Sequence, residues 1–388
     1  MAINGKNDVP VLPGTGNVLQ PLIKWAGGKE HELKYILPNI PDFRNYYEPF
    51  VGGGAVFTAV EAENYYINDL SDELIALYNG ISRRNTWLFR YAAAIDRSWA
   101  DAHAFCDSHI DELKRIYSAC RDGITGKSGL KEAAEGFVSR HEEELARLFS
   151  GCFLGHMPVF LDELKKNISR KFWRMKELEE RLDSLPEDDL YDNIETSVKS
   201  AVYMGYRSMY NDKALARRNG SMHCALFLFI RNYCYSGMFR YNDDGDFNVP
   251  YGGIAYNAKS MSRKIAYYRS KPLRERLRNT RVYNLDFEEF LRQCNPGEDD
   301  FVFLDPPYDT EFSSYAGNDF TRDDQRRLAR YMIGECRAKW MMIIKNTDFI
   351  YGLYAVDGIN IRVFDKEYLV SFMNRNDRKA KHLLITNY

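Results

Sequence analysis

Proline is nearly missing from the middle of this chain: between Pro49 and Pro250 only Pro158 and Pro186 occur. A stretch so poor in helix breakers can hold long helices, and apolar residues at helical spacing, such as Leu145 and Leu148, recur between its charges. Long hydrophobic runs are also missing. The longest, such as Ala225–Ile230, fall far short of the ~20 apolar residues that a membrane helix needs, so no membrane partner is expected. The first residues carry no apolar segment of the kind a secretory leader has, and 1–18 reads as a flexible arm rich in Gly, Pro and Asn. Cysteine is scattered: the seven residues include no C-x-x-C pair, which argues against a disulfide framework and against a zinc site. Free thiols in a reducing cytoplasm, and no metal, are the expectation.

A strong charge of one sign is absent too, since 53 basic and 55 acidic residues leave a net charge of −2. The distribution is uneven, however. Between Arg263 and Arg281 lie eight basic residues and one acid, and Arg375, Arg378, Lys379 and Lys381 form a second cluster. Such clusters suit a polyanion, although a solvated helix face also looks like this.

What is present is an α/β pattern at both ends. Asn45–Glu48 and Tyr65–Asn68 have strand composition, and between them Gly52-Gly53-Gly54 opens a helical pattern over Ala55–Ala62. Later, Arg281–Leu285, Phe301–Leu304, Trp340–Ile344 and Leu383–Thr386 read as strands. Phe301–Leu304 is apolar throughout, as a parallel strand covered on both faces should be. Strand, glycine turn, helix, strand and acid in that order build the cofactor crevice of a doubly wound fold. Asn242–Gly245 reads as a hairpin turn in an aromatic, mixed-charge segment.

Three motifs carry chemistry. Asp305-Pro306-Pro307-Tyr308 follows the buried strand, where functional groups of open sheets collect. Two prolines stiffen the loop and aim its carbonyls. A carboxylate and a rigid carbonyl, both accepting from an exocyclic amine, would draw a delocalised nitrogen towards a tetrahedral shape. Tyr308 offers a face for a flat ring. A plain turn remains an alternative for the tetrapeptide by itself. The second motif, Tyr47 to Phe57, brings glycines close to a ligand, with Asp69 at the next strand's end suited to ribose hydroxyls. No G-x-G-x-x-G occurs, so it is no dinucleotide fingerprint. The third, Pro21 to Lys29, has Gly27-Gly28 before Lys29 but lacks the Walker pattern. Trp25 within it is either core or a cofactor cover.

KWAGGK, EPFVGGGAVF, INDLSDELI, an aromatic-basic segment with FNVP, and DPPY occur in that order. Together they resemble the Dam-type (D12 class, α-group) DNA adenine-N6 methyltransferases, over roughly residues 21–80 and 225–388. The resemblance implies a Rossmann-like S-adenosylmethionine-dependent methyltransferase sheet with a helical insertion and a target-recognition region containing a β-hairpin. It implies S-adenosyl-L-methionine as cofactor, held by Trp25, Lys29, Glu48, Pro49, Phe50, Gly52, Gly53, Gly54, Asp69, Asp286, Phe287 and Asp305. Asp305, Pro306, Pro307 and Tyr308 would hold a target adenine extruded from double-stranded DNA. Arg231, Ser236, Arg240, Tyr241, Asn242, Asn248 and Pro250 would contact that DNA, in the cytoplasm of a bacterium or phage-infected cell. The expected organisation is an arm (1–18), a first catalytic part (19–80), a helical insertion (81–222), a recognition region (223–280) and a second catalytic part (281–388).

The insertion is longer than a compact Dam-type enzyme needs, which leaves target sequence, oligomeric state and a restriction endonuclease partner open. Cytosine-N4 methylation is the nearest alternative, since that amine poses the same problem. A glutamine amide of a protein is a remoter target. A catalytically silent DNA-binding protein on the same fold would not need the intact glycine and DPPY motifs. No cysteine lies in a motif from which it could attack a ring carbon, which disfavours cytosine-C5 chemistry.

Overall fold

The computed structural model describes residues 19–25, 27–148, 154–182, 185–308, 320–367 and 379–388. The arm expected over 1–18, and Arg375 and Arg378 of the second basic cluster, lie outside them. The chain forms two compact units, one running up to Tyr78 and resuming at Arg269, the other Asn79–Tyr268.

The first unit is built on one sheet of seven strands: β1 (Asn45–Glu48), β2 (Asn64–Asn68), β3 (Thr280–Tyr283), β4 (Phe301–Leu304), β5 (Lys339–Lys345), β6 (Asn360–Glu367) and β7 (Lys379–Thr386). Their order is β3-β2-β1-β4-β5-β7-β6. The five strands from β3 to β5 are parallel, and β7 runs antiparallel to both β5 and β6. From β1 the chain winds outward through β2 and β3, then returns to lay β4 on the other side of β1. The winding reverses between β1 and β4, so the crevice of a doubly wound sheet opens beyond Glu48 and Leu304. All four residues of β4 are buried, and Trp340–Ile344 of β5 are fully buried beside them. Phe290, Leu291, Leu328 and Met332, from helices Phe287–Cys294 and Arg322–Gly334, pack on this apolar layer. Two-sided cover is why these strands read as unbroken apolar runs.

The expected strands are all present, but three details differ. The helix after the glycines spans Ala55–Ala59, because Val60 turns to an extended conformation to bring the chain back to β2. β3 ends at Tyr283, two residues before Leu285, whose backbone bonds instead to the Asn68 side chain. β6 escaped the sequence reading. It is an edge strand, and Asn360, Arg362, Val363 and Asp365 are exposed, so it carries no apolar period to detect. Charges on an edge also discourage pairing with another chain.

The second unit is helical, with long helices Thr86–Ser108, Met157–Leu182 and Glu187–Asn211 and shorter ones between them. Asn85 caps the first of these, its side chain accepting from the backbone of Trp87 and Leu88. Helix Gly220–Tyr233 is buried along nearly its whole length, and Trp99 sits among Phe229, Tyr233 and Tyr251 at ring distances of 4.5–5.6 Å. The aromatic segment that follows is anchored where Cys234 pairs with Tyr251 and folds back where Tyr241 pairs with Phe247. Its tip closes as expected at 242–245: Gly245 N–H donates to Asn242 O at 2.9 Å, with Gly245 at φ +78°.

Candidate active site

Beyond β1 the chain makes the Pro49–Gly54 turn. Val51 N–H donates to Asn68 O (2.9 Å) and Leu22 N–H to Gly53 O (2.9 Å), so the turn is fastened to β2 on one side and to the Pro21–Lys29 segment on the other. The glycines answer to this crowding. A Cβ on Gly53 would lie 2.3 Å from Ile23 O, and one on Gly52 would lie 2.7 Å from Trp25 Cδ1. Gly52 also holds φ +48°, the left-handed region that suits glycine. Trp25 therefore packs directly over the glycine loop.

Asp69 reaches back to this loop. Its Oδ2 accepts from Gly52 N–H and its Oδ1 from Ser71 N–H, each at 3.0 Å. Desolvation raises its pKa above the ordinary value, while backbone donors at Ser71, Gly52 and Leu70 pull the other way. Asn68, which sequence reasoning passed over, joins three strand ends: its Nδ2 donates to Pro49 O (3.0 Å) and Leu285 O (2.9 Å), and its Oδ1 accepts from Leu285 N–H (2.9 Å). The only hint in the sequence was its place beside Asp69. Phe50, Phe287 and Phe320 form a ring cluster with centroids 5.6–5.7 Å apart. Asp286 caps the Phe287–Cys294 helix by accepting from Glu288 N–H, and it also pairs with Arg327 at 2.7 Å.

At the end of β4, Asp305 Oδ1 meets the ammonium of Lys29 at 2.5 Å. Lys29 is buried, donates as well to Gly27 O (2.8 Å), and lies 5.9 Å from the Tyr308 ring centre. The first and last motifs thus meet through one ion pair. Glu48 is buried beside them and accepts from Tyr46 Oη at 2.9 Å. Burial drives its pKa well above the carboxylate range, the nearby Asp305 charge adds to this, and Lys29 opposes it. Burial thereby favours the neutral form of Glu48. Pro306 is buried. Pro307 O accepts from Gln325 Nε2 at 2.8 Å, and His382, itself buried, meets the Tyr308 ring edge-on at 5.6 Å and 86°. Gln325 and His382 fix the loop's carbonyl and ring; neither lies in a motif, and no pattern in the sequence announced them.

The residues expected to contact DNA are placed in two distinct ways. Ser236, Arg240, Asn242 and Pro250 are exposed, while Tyr241 and Asn248 are half-buried. Arg240 Nε donates to Asn248 Oδ1 (2.7 Å), and Tyr241 shares a hydrogen bond with Tyr210 (3.2 Å). Ser236 holds a left-handed φ of +52°. Arg231 is different. It is 2% exposed, donates to Met238 O (2.8 Å) and stacks over Phe239 at 4.3 Å. Burial pulls its pKa below the usual guanidinium value. It props the loop from inside the unit rather than facing outward.

The glycine turn, the acid at the end of β2 and the DPPY loop at the switch point are the parts of a methyltransferase crevice. The model of the D12 class N6 adenine-specific DNA methyltransferases matches residues 25–118 and 156–368. The chain belongs to this family. It is a site-specific DNA methyltransferase that acts on adenine N6 and depends on S-adenosylmethionine. It is 26% identical to the Type II methyltransferase M.CviBI of Paramecium bursaria Chlorella virus NC1A, over 95% of this chain and 100% of that protein. It is 26% identical to the Type II methyltransferase M.MjaIII of Methanocaldococcus jannaschii, over 95% and 99%. The DNA adenine methylase of Vibrio cholerae is 23% identical over 93% of this chain and 94% of its own length. The family match enters the helical unit from both sides and lapses only over 119–155, so the departure from the family is far shorter than the motifs alone suggested. No helix among the described residues is long and apolar enough to cross a membrane.

Proposed function

We propose that the Asp305–Tyr308 loop holds the exocyclic amine of an adenine taken out of a DNA duplex, with S-adenosylmethionine bound along the glycine turn. The observation that carries this reading is the Lys29–Asp305 pair, which fixes the carboxylate at the mouth of the switch-point crevice. Asp305 and the Pro306 carbonyl accept from the amine, and Tyr308 stacks on the base, its ring already steadied by His382. The residues of the crevice suit the cofactor: a carboxylate, Asp69, for vicinal hydroxyls, the Phe50–Phe287–Phe320 rings for a purine, and Trp25 closing over Gly52. That cofactor supplies a methyl group already activated on a cationic sulfur. What the chain contributes is alignment and charge complementarity, which account for much of such a barrier's reduction. A base must leave the stack to reach a buried strand end, and the exposed Arg240, Asn242 and the half-buried Tyr241 have the chemistry to grip the duplex that remains.

Calorimetric titration of S-adenosylmethionine tests the assignment. Phe287→Ala and Asp69→Ala should each lower affinity at least ~10-fold, the equivalent of ~1.4 kcal/mol. Wild-type affinity in both variants would overturn this placement of the cofactor.

A further inference from the structure

The helical unit holds a cluster that methyl transfer does not use. The sequence offers His-x-x-Glu twice, His109 with Glu112 and His141 with Glu144. Each histidine ends one helix and begins the next, His109 between Thr86–Ser108 and Ile110–Arg121, His141 between Lys127–Arg140 and Glu142–Arg147. Folding crosses the two pairs. His141 Nε2 meets Glu112 Oε2 at 2.9 Å, His109 Nε2 meets Glu144 Oε2 at 2.9 Å, and the imidazole centroids are 4.0 Å apart. The ligand atoms of His109, Glu112 and His141 all lie within 4.8 Å of one another.

We infer that His109, His141 and Glu112 form a binding site for a divalent transition-metal ion of the zinc class, with Glu144 or water in the fourth position. Tetrahedral zinc with bonds of about 2.0–2.1 Å needs ligand atoms about 3.3 Å apart, so modest side-chain rotation converts the cluster into a coordination shell. Two imidazoles and carboxylates suit zinc, cobalt or nickel, whereas calcium and magnesium prefer oxygen alone. The floor is apolar and fixed. Phe105 lies 4.6 Å from the His109 ring and Phe137 lies 4.8 Å from the His141 ring, both phenylalanines being buried. Held this way, the rings present Nε2 to the carboxylates. Arg140 competes for Glu112 at 2.5 Å, but its side chain is 58% exposed and can swing into solvent. Cysteine spacing carries no sign of this site, since its histidines, His109 and His141, stand far apart in sequence.

The location gives the site a purpose. His109 and Glu112 belong to the stretch that the family model matches, and His141 and Glu144 to the 119–155 stretch that it does not. An ion here clamps the chain's additional helices to the shared scaffold. The site belongs to the helical unit, and the methyl-transfer residues belong to the sheet unit.

The test is equilibrium dialysis of the untagged full chain against Zn²⁺, with Co²⁺ as a spectroscopic probe and Mg²⁺ as control. We expect a single retained zinc, a visible tetrahedral Co²⁺ band, a raised melting temperature with zinc, and none of these with Mg²⁺. His141→Gln and Glu112→Gln should each weaken zinc binding more than ~100-fold, beyond the loss typical of a ligand's outer partner, with methyl transfer to DNA kept. Alkylating the cysteines beforehand should change nothing. Absence of zinc binding by the wild-type chain, binding unchanged in both variants, or binding lost on alkylation would each overturn the site. The wild-type measurement stands even if a variant fails to fold.

Discussion

In the sheet unit, the residues that matter sit where strand direction puts them: Glu48, Asp69 and Asp305 all lie at or just past the carboxyl end of a parallel strand. In the helical unit, two arginines of one segment part ways, Arg231 buried beneath Phe239 and Arg240 exposed on the hairpin. The comparison teaches that a parallel sheet converts sequence position into site position, since every strand delivers its end to the same edge. A helical packing has no such rule. There a side chain's role depends on which face of a turn it leaves from, and that is decided by neighbours distant in sequence.

If strand-end position fixes function in the sheet unit, Asp305→Ala should cost most, lowering the methylation rate at least ~100-fold while the protein stays folded, as when a preorganised polar group is lost. Single-turnover kinetics with saturating cofactor would measure it. A smaller effect is expected of Gly53→Ala, whose Cβ would meet Ile23 O at 2.3 Å. The turn must shift, so stability should fall by ~1–3 kcal/mol in urea unfolding and cofactor affinity should fall with it.

The arginine pair sharpens the other half of the comparison. Arg231→Ala should lower the unfolding free energy by ~1–3 kcal/mol, because Met238 O keeps only the weak Cys234 thiol donor and Phe239 loses its cover. Arg240→Ala should leave stability within ~0.5 kcal/mol but weaken DNA binding and reduce the salt slope by ~1. Equal behaviour of the two variants would break the distinction.

The smallest effect concerns pH. Burial raises Glu48, so the fold favours its neutral form and loses stability as pH climbs from 4.5 through the raised value. Glu48→Gln cannot ionise. Its melting temperature relative to wild type should therefore rise from acid to mildly alkaline pH, whereas a constant difference would mean that Glu48 is charged at no cost.

Much of the sheet unit was legible beforehand, because buried parallel strands such as Phe301–Leu304 and glycine turns leave strong local signals. The polar edge strand β6 was not, since Arg362, Val363 and Asp365 face water and need no period. Asp305, Lys29 and Asp69 could be picked out, but their partners could not: Lys29 and Asp305 stand 276 positions apart, and Asp69 bonds back to Gly52. Gln325 and His382 act through one hydrogen bond and one ring contact, and nothing in their local sequence marks either. Arg231 belongs to the segment that resembles the family's recognition hairpin, and that resemblance implies a DNA contact. Only packing reveals that its guanidinium is spent indoors.

The measurement that bears most directly on the central claim is nucleoside analysis of duplex DNA after incubation with methyl-labelled S-adenosylmethionine, for wild type and Asp305→Ala. We predict label in N6-methyladenine with wild type, and at least ~100-fold less with Asp305→Ala at saturating cofactor in a folded variant that still binds DNA. Label in N4-methylcytosine, or undiminished adenine labelling by Asp305→Ala, would contradict the claim.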